Sequence, residues 1–475
     1  MGALGDGCDR REFGYMSLPV TATAFRTQDA ALQRIYDAAV DKLRRNLKDF
    51  QGRRVLIEGG GYNKIWLETQ PMGGVMFAGH DLAAAVNNVT LFMERQRGDG
   101  RIPGSIEDKG DRLEAQFNKF QGFCFPAEAV DLLDWIGDDR LYIESLYDTL
   151  ARFDAYLWRT RDSGGSGCLE SWCVTDTGED GALRYADAPF WWTEDTPPEG
   201  FSVVPIQSMD VTWYSVSARD ALADLSVRLG NGRRESWRAK ADAVRGRIFE
   251  YLWDDQRGAC FDRDKRGAVM PTLLHNNLRV MYGGGFSRYM ADRFVTEHLL
   301  NPDEFWTPTP LPSVAANDPL FRNASGNNWS GQPEGLTYQR SIRALENYGC
   351  DHLLAPIFDK LTAAIGHGCV FTQQYDPFTG HPSSDKDGYG PTMLAALAFI
   401  ARMHGVAPRR GEMLWGARGG AACEYTLTIG DNVYELRGNG DVFEGAVNGK
   451  RRFTTEAGFR VVTDTSGNVI KRIKI

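Results

Sequence analysis

Apolar residues recur every three or four positions along most of the chain, which is the spacing of one face of an α-helix. Two such stripes run through residues 211–229 and 237–252. Another steps by four, three and four residues: Leu146, Leu150, Phe153 and Leu157. This periodicity dominates from about residue 28 to residue 404 and predicts a mainly helical protein.

Short and long connections alternate between the predicted helices. Gly137-Asp138-Asp139 and Gly230-Asn231-Gly232 are short breaks, and short breaks between amphipathic helices imply antiparallel neighbours. The remaining connections are long, and loops of such length in a compact domain are usually functional. Tight turns on one face and long loops on the other predict an α/α toroid whose long loops gather around one end of its axis. The long connections run over about residues 98–112, 161–207, 256–270, 301–333 and 366–390.

After about residue 410 the pattern changes to the alternation that is typical of β-strands. Gly- and Asn-rich turn signals separate four alternating segments: residues 425–429, 433–436, 443–447 and 459–462. We therefore predict a small antiparallel β module over residues 411–475, after a helical catalytic domain with an N-terminal extension over residues 1–410. The module is expected to be a structural cap or accessory sandwich, with carbohydrate binding as the alternative.

Composition and charge narrow the possible partners. The chain has 475 residues, of which 42% are hydrophobic and 25% charged, and its net charge is −9. An acidic balance argues against nucleic acid or an anionic membrane as a partner. No apolar run approaches the roughly 18 residues of a membrane span, and the N-terminus lacks the basic and apolar regions of a signal peptide. We expect a soluble protein of the cytoplasm or periplasm.

The eight cysteines are scattered along the chain. None forms a Cys-x-x-Cys pair, and none has a His partner at metal-ligand spacing. Buried free thiols in a reducing compartment are therefore expected, with neither a metal nor a cofactor. The cysteines are Cys8, Cys124, Cys168, Cys173, Cys260, Cys350, Cys369 and Cys423.

The loop over residues 170–192 combines carboxylates with aromatic residues. Four carboxylates fall within eleven residues: Glu170, Asp176, Glu179 and Asp180. Trp191 and Trp192 follow them. The acid catalyst of glycoside cleavage is a carboxyl group kept protonated near neutral pH, which apolar walls and neighbouring carboxylates achieve. A solvated acidic loop or a calcium site is the alternative.

Two loops in the C-terminal half also suit a polyhydroxyl ligand. Asn327-Asn328-Trp329-Ser330-Gly331 precedes a predicted helix, and Asn can both donate to and accept from adjacent hydroxyls. Glu334 follows at the helix start, where the helix dipole by itself also favours a carboxylate. The loop from Gln373 to Gly390 is either part of the site or a solvated turn. It contains Tyr375-Asp376-Pro377, His381, Asp385 and Asp387.

Near the N-terminus, aromatic, carboxylate and amide side chains alternate through a Gly-rich entry into a helix. This pattern predicts either one wall of a sugar subsite or a half-buried strand. The residues are Tyr62, Lys64, Trp66, Glu68, Gln70 and His80.

Several of these motifs follow one another in an order that resembles that of a known enzyme family. They are residues 310–316, Asn328-Trp329-Ser330-Gly331, Tyr375-Asp376-Pro377-Phe378-Thr379-Gly380 and Gly388-Tyr389-Gly390. Over roughly residues 30–405 their order and spacing resemble the catalytic domain of glycoside hydrolase family 63, with trehalases as distant kin. The resemblance implies an (α/α)6 toroid and inverting hydrolysis. One carboxylic acid protonates the leaving oxygen, and a second carboxylate about 6.5–9.5 Å away activates water.

The resemblance also assigns roles to residues. The segment Asp176-Thr177-Gly178-Glu179-Asp180 with Arg184 best matches the family's acid motif, which makes Asp180 the acid and Asp176 the runner-up. The family's base is a glutamate two residues before the loop Tyr, and that position is Gln373, whose amide cannot take a proton from water. Either another carboxylate, Glu334 or Glu68, is the base, or the chain is a Glu→Gln variant or a silent sugar binder.

The resulting hypothesis is an exo-acting, inverting glycoside hydrolase that cleaves a terminal α-linked bond in a di- or oligosaccharide. Asp180 is the expected acid and Glu334 the expected base. A sugar epimerase or lyase on the same toroid is the second enzyme hypothesis, and a carbohydrate-binding pseudoenzyme is the third. The expected subsite residues are Trp66, Glu68, Gln70, Trp191, Trp192, Asn328, Trp329 and Tyr375.

Overall fold

The computed structural model describes residues 17–384 and 386–475, so the predicted features Cys8 and Asp385 lie outside the described residues. Within these ranges the chain is mainly helical, with antiparallel sheets at its C-terminal end, as predicted. The α-helices are α1 Ala30–Arg45, α2 Gln70–Met76, α3 Leu82–Glu94, α4 Phe125–Asp131, α5 Leu133–Ile136, α6 Arg140–Thr160, α7 Met209–Leu229, α8 Arg234–Arg247, α9 Asn276–Tyr282, α10 Arg288–Phe294, α11 Gly335–Asn347, α12 Leu354–Ile365 and α13 Gly390–His404.

Short strands lie between the helices and longer ones follow them. The strands are β1 Thr21–Thr27, β2 Leu47–Phe50, β3 Arg53–Leu56, β4 Ile65–Trp66, β5 Ser105–Asp108, β6 Leu113–Gln116, β7 Glu170–Ser171, β8 Ile206–Gln207, β9 Trp253–Asp254, β10 Ala259–Cys260, β11 Val406–Arg409, β12 Glu412–Ala417, β13 Cys423–Ile429, β14 Asn432–Gly438, β15 Val442–Val447, β16 Lys450–Glu456, β17 Phe459–Asp464 and β18 Val469–Lys474.

The helices differ in how much of their surface is buried. α7 and α13 are buried on nearly every side, as expected for helices inside a large helical protein. α8 buries only Trp237, Ala241 and Val244, and a π-helical turn over Ile248–Leu252 continues its apolar stripe. In the described part of the chain, no helix is both long enough and apolar enough to cross a membrane.

Six helices pack against one another in a closed sequence. α2 contacts α4, α4 contacts α7, α7 contacts α9, α9 contacts α11, α11 contacts α13, and α13 contacts α2. Other helices pack against members of this sequence: α1 and α12 against α13, α3 against α2, and α6 and α8 against α7. Most of the long loops that the sequence predicts as functional connect these helices.

The C-terminal strands form two antiparallel sheets. One has the order β1-β13-β14-β15-β16 and the other the order β11-β12-β17-β18. Trp415 of β12 packs on Tyr434 and Phe453 of the other sheet, with ring centroids 5.9 and 5.2 Å apart. Aromatic side chains from both sheets therefore meet in the interior of the module.

The sequence prediction missed β1. This strand pairs with β13 along its whole length, so that Thr23 faces Leu427. Its partner lies at the other end of the chain, and neither turn signals nor neighbouring strands mark residues 21–27. The division of the chain at residue 410 stays a prediction, but the C-terminal sheets include a strand from near the N-terminus.

One buried arginine joins the β module to the helices. Arg460 of β17 is fully buried, and its guanidinium donates to Glu346 of α11 at 2.9 Å and to Asp351 at 2.6 Å. Burying these charges is favourable only while they remain paired. The ion-pair network therefore depends on the docking of β17 against α11.

We expect Arg460→Ala to lower the free energy of unfolding by about 3–5 kcal/mol, because it leaves the buried Asp351 without its arginine and removes one of the arginines paired with Glu346. Arg437→Ala is the matched control, since it removes an exposed ion pair with Glu424, which is worth less than about 1 kcal/mol. Thermal and urea unfolding would measure both changes. Equal losses in the two variants would contradict a connecting role for Arg460.

Candidate active site

Four carboxyl groups from distant parts of the chain lie close together. They are Glu58, Glu68, Asp180 and Glu334. The negative charge of Asp180 contributes to raising the pKa of each of the other three. Glu58 follows β3, Glu68 lies between β4 and α2, Asp180 is in the loop after β7, and Glu334 immediately precedes α11. The structure therefore brings three predicted site residues together and adds Glu58.

The predicted acid, Asp180, has few partners. The Asn327 side chain donates from Nδ2 to Oδ2 of Asp180 at 2.8 Å, and the backbone N–H of Trp329 donates to its carbonyl at 3.1 Å. Burial raises the pKa of the Asp180 carboxyl, against the opposing effects of the Lys119 ammonium and the Asn327 amide. A carboxyl group with a raised pKa is suited to hold a proton near neutral pH.

Glu334 is fully buried. Although it precedes α11, its side chain makes no capping hydrogen bond, so stabilisation of the helix end does not account for it. Neither carboxyl oxygen has a hydrogen-bond partner among the described residues. Burial first, and then the charge of Asp180, raise the pKa of Glu334 well above its usual range, and the nearby amide of Gln374 lowers it only partly.

Glu68 is held by a buried arginine. Arg340 donates to its carboxylate at 3.2 Å. Burial still raises the pKa of Glu68, against the opposing charges of Arg340 and Arg279. Gly178, with φ of +67°, lies directly against this carboxylate, and a Cβ atom there would be 2.1 Å from the Glu68 oxygen. A glycine at this position therefore allows the loop carrying Asp180 to pack on Glu68.

Sequence reasoning missed Glu58. Its carboxylate accepts a hydrogen bond from the Tyr389 hydroxyl at 2.9 Å, and its carbonyl accepts one from the N–H of Gly390 at 2.7 Å. Burial, with a further contribution from Glu68, raises the pKa of Glu58 to about 8. A carboxylate directly before the glycine run at residues 59–61 was the available signal, since such a run allows close backbone contact.

Lys119 was also missed. Its side chain is buried, and its ammonium lies 3.9 Å from the centre of the Trp66 ring and 4.9 Å from that of Trp191. Burial lowers its pKa to about 8, although Asp180 and Glu68 act in the opposite direction. Two predicted sugar-stacking residues thus contact a cation placed between them. Nothing in the local sequence distinguishes this lysine from a solvated one.

The runner-up acid, Asp176, is held as an ion. Arg161 donates to it at 2.5 Å, and the backbone N–H groups of Trp172 and Phe120 donate at 2.7 and 2.8 Å. Burial alone would raise its pKa, but these partners lower the pKa below its usual value. A carboxylate with a lowered pKa gives up its proton too early to act as a general acid. The structure thus disfavours Asp176.

Arg184, which identified the acid motif, does not contact Asp180. It forms an ion pair with Glu179, the preceding residue, and Glu179 also bonds to His275 at 2.9 Å. Although burial opposes it, this pairing lowers the pKa of Glu179 well below its usual range. Asp176 and Glu179 are therefore buried carboxylates, each paired with an arginine. This finding argues against the alternative of a solvated acidic loop or a calcium site.

Several predicted subsite residues have local roles instead. The Gln70 side-chain oxygen accepts the backbone N–H of Trp66 at 2.7 Å. The indole N–H of Trp192 donates to the carbonyl of Thr196 at 2.7 Å. Asn328 accepts the N–H of Ser330 at 3.0 Å. Of the predicted tryptophans, Trp66 and Trp191 flank Lys119, and Trp191 is exposed.

Trp329 and Tyr375 lie in the core. Trp329 is 2% exposed and packs beside His275, with the ring centres 5.5 Å apart. Tyr375 is fully buried, and its hydroxyl donates to the Val370 carbonyl at 2.7 Å. These contacts place both rings in the packing behind the loops, which corrects the expectation that they stack on substrate.

The loop from Gln373 to Gly390 contributes mainly turns. The Asp376 carboxylate accepts the N–H of Thr379 at 2.9 Å, Asp387 pairs with Lys42, and His381 is exposed. Gln373 differs from the rest, because its amide donates to Asn327 at 2.7 Å and accepts from the Tyr62 hydroxyl at 3.1 Å. The position expected for the base thus contacts the residue that holds Asp180.

Replacement of Glu58 by Gln tests the unusual protonation of this cluster. The folded-state pKa of Glu58, about 8, lies above its ordinary value of 4.5. Its contribution to stability is therefore complete below about pH 4.5 and is lost as the pH rises through about 8. Glu58→Gln removes this pH-dependent loss of stability, and its amide oxygen can still accept the hydrogen bond from the Tyr389 hydroxyl. The melting temperature of the variant relative to wild type should rise from about pH 5 to about pH 9.

Glu58→Ala is the control for packing, since it removes the acceptor for Tyr389 and should destabilise the protein at every pH. A difference between Glu58→Gln and wild type that does not change with pH would show that Glu58 titrates normally.

Solved structures of three hydrolases share the fold. A GH63 mannosylglycerate hydrolase from Thermus thermophilus, in complex with Tris, is 18% identical, with a TM-score of 0.63 over 78% of this chain and 100% of that chain. Neutral trehalase from Saccharomyces cerevisiae is 13% identical, with a TM-score of 0.58 over 74% of each chain. The α-L-rhamnosidase from Dictyoglumus thermophilum is 10% identical, with a TM-score of 0.59 over 90% of this chain and 44% of that one.

At these identities the likeness establishes a common fold. The family itself follows from the sequence, because the profile of the mannosylglycerate hydrolase MGH1-like glycoside hydrolase domain matches residues 75–390, more than half of the chain. This match confirms the predicted resemblance and the prediction of a glycosidase. The chain belongs to the mannosylglycerate hydrolase MGH1-like glycoside hydrolases.

Proposed function

We propose that this glycoside hydrolase cleaves a terminal, α-linked bond in a di- or oligosaccharide with inversion of configuration, using Asp180 as general acid and Glu334 as general base. The observation that carries the proposal is the meeting of the fully buried Glu334 carboxyl group with the partly buried Asp180 carboxyl group. Both have raised pKa values, and neither forms an ion pair with an arginine among the described residues. Inverting hydrolysis needs one carboxyl group that donates a proton and another that accepts one.

The two roles differ in what each carboxyl group must contact. Asp180 protonates the glycosidic oxygen as the bond breaks, and Asn327 holds one of its oxygens while the other is available for the proton. Glu334 takes a proton from the attacking water, and both of its oxygens lack a hydrogen-bond partner among the described residues, so either can accept from that water. Charge repulsion between the two groups favours a state in which only one of them is ionised.

The substrate is expected to stack on the exposed ring of Trp191, beside the ammonium of Lys119, which itself lies between Trp191 and Trp66. The Thermus thermophilus mannosylglycerate hydrolase was solved with Tris and D-glycerate, so mannosylglycerate belongs in a first substrate screen. Trehalose belongs there because a neutral trehalase has the same fold. The sugar, its linkage and its length are the part of the proposal that such a screen decides.

We also propose that the closed sequence α2-α4-α7-α9-α11-α13 is the inner ring of an (α/α)6 toroid. The contact of α13 with α2 supports closure, and the nearly complete burial of α7 and α13 supports an inner position. Glu68, Glu334 and Tyr389 directly precede α2, α11 and α13 or lie within two residues of them. In such a toroid they would gather at one end of the axis.

A lyase or epimerase is less well supported. Those reactions favour Tyr or His as proton carrier. Burial and the charges of Glu58, Asp180 and Glu334 raise the pKa of Tyr62 far above neutrality, which makes it a poor base. His275 bonds to Glu179 on one side and Thr337 on the other. Neither residue is free to move protons on a substrate.

The role of Asp180 can be tested by changing the leaving group. Asp180→Asn should reduce hydrolysis of the disaccharide that the enzyme prefers by about 10²–10⁴-fold, because an alkoxide leaves slowly without a proton. A 2,4-dinitrophenyl glycoside of the same sugar should lose far less, since its phenolate leaves unaided. Asp303→Asn, at an exposed position, is the matched control. Equal losses on both substrates would exclude Asp180 as the acid.

Glu334→Gln gives the complementary prediction. A general base acts on the water and not on the leaving group, so the loss should again be about 10²–10⁴-fold but similar on both substrates. If Glu334→Gln retains activity on the dinitrophenyl glycoside and Asp180→Asn does not, the two roles are reversed and the proposal is wrong. NMR of the first-formed sugar anomer in wild type tests inversion directly.

The pH profile offers a further prediction. Activity needs Glu334 ionised and Asp180 protonated, and both pKa values are raised. Both limbs of the bell-shaped kcat/KM profile should therefore lie above the usual carboxyl range, and the limb lost in Glu334→Gln identifies the base. An acidic optimum typical of exposed carboxyl groups would contradict the buried pair.

A further inference from the structure

We propose that Gln373 is a positioning residue that supports Asp180 through Asn327, and that an amide, not a carboxylate, is required at this position. This inference rests on the proposed role of Asp180 as the acid. It is carried by a chain of hydrogen bonds with a fixed direction, which joins Trp329, Asn327, Gln373 and Tyr62 and ends at the Asp180 carboxyl group.

Trp329 determines the orientation of the Asn327 amide. The indole N–H of Trp329 lies 3.0 Å from Oδ1 of Asn327. Indole can only donate, so the atom facing it must be the amide oxygen. The amide nitrogen of Asn327 is therefore directed to Asp180, to which it donates at 2.8 Å. The backbone of Asn327 is held too, because its N–H donates to the Gln374 side chain at 2.7 Å.

The fixed Asn327 amide in turn determines what can stand at position 373. Its Oδ1 also faces the Gln373 side chain, which donates from Nε2 at 2.7 Å. The remaining atom of Gln373, Oε1, accepts from the Tyr62 hydroxyl at 3.1 Å. An ionised glutamate here would place an acceptor against the oxygen of Asn327, because a carboxylate cannot donate. Only an amide or a protonated acid satisfies both neighbours.

The arrangement explains how a missing glutamate is compatible with a working acid. Both polar atoms of Gln373 are engaged in hydrogen bonds, and its neutral amide cannot take a proton from water. What it does instead is keep Asn327 pointing its amide nitrogen at Asp180. Since Asn327 is a direct partner of the Asp180 side chain, loss of this support would let the carboxyl group change both its rotamer and its pKa.

Gln373→Glu distinguishes two interpretations of this position. If Gln373 is a lost base, the glutamate should restore or increase activity. If it is a positioning residue, kcat of the variant at about pH 8 should be at least about tenfold lower than that of wild type. The ratio of variant to wild-type kcat/KM should then rise as the pH is lowered, because the introduced carboxylate becomes protonated. Gln256→Glu adds the same charge at an exposed position and should leave the ratio flat.

The melting temperature gives a readout that needs no substrate. Gln373→Glu should be destabilised relative to wild type at about pH 8 and much less at about pH 5, because protonation restores a donor toward Asn327. The stability test therefore separates this inference from the proposed hydrolysis. If wild type releases no sugar but the pH-dependent destabilisation is seen, the hydrogen-bond chain stands and the hydrolase assignment fails.

A double-mutant cycle tests the role of Trp329. Trp329→Phe keeps an aromatic ring but removes the indole donor, which frees the Asn327 amide to turn its nitrogen toward the introduced carboxylate. Gln373→Glu should therefore lower the melting temperature less in the Trp329→Phe background than in wild type, whereas kcat should stay low because the turned amide no longer donates to Asp180. Kinetics would use 4-nitrophenyl α-D-mannopyranoside and α-D-glucopyranoside. Additive effects, or a gain of activity in Gln373→Glu alone, would overturn the inference.

Discussion

Burial of carboxyl groups beside one another is the constraint on which the candidate site depends. Loss of solvation is the largest influence on the pKa of Glu58, Glu68, Asp180 and Glu334 alike. A buried ionised carboxylate is costly unless it is paired, so a group without an arginine retains its proton at higher pH. The same physical effect that would destabilise an ordinary core here raises the pKa values of all four carboxyl groups, a shift that is common at functional sites.

Buried arginines divide the carboxylates into two classes. Asp176 and Glu179 pair with Arg161 and Arg184 and are held as ions, whereas the next residue, Asp180, has only an amide and a more distant ammonium. Two adjacent residues of one loop thus have opposite pKa shifts. Glu179 anchors the loop through its ion pair, whereas Asp180 has no direct ion-pair partner among the described residues, because their side chains meet different partners.

Some sequence motifs pointed to residues of the candidate site although the motif residues make other contacts than expected. The spacing between Asp180 and Arg184 pointed to the proposed acid, yet in the structure the arginine binds Glu179 and supports the acid through the backbone. The sequence also predicted that loops distant in the chain would meet. The missed features are Glu58, Lys119 and β1. A single charge in a short loop looks solvated, and the partner of β1 lies at the opposite end of the chain.

The sequence by itself determined the helical periodicity, the C-terminal strands, the family and the departure from it at Gln373, because these are properties of local spacing and residue type. Only the tertiary structure decided which carboxyl groups are ionised, since protonation depends on burial and on charges contributed by distant segments. It also placed Trp329 and Tyr375 in the core and directed the Asn327 amide toward Asp180. Hydrogen-bond direction is set by partners in space, and those partners come from three separate loops.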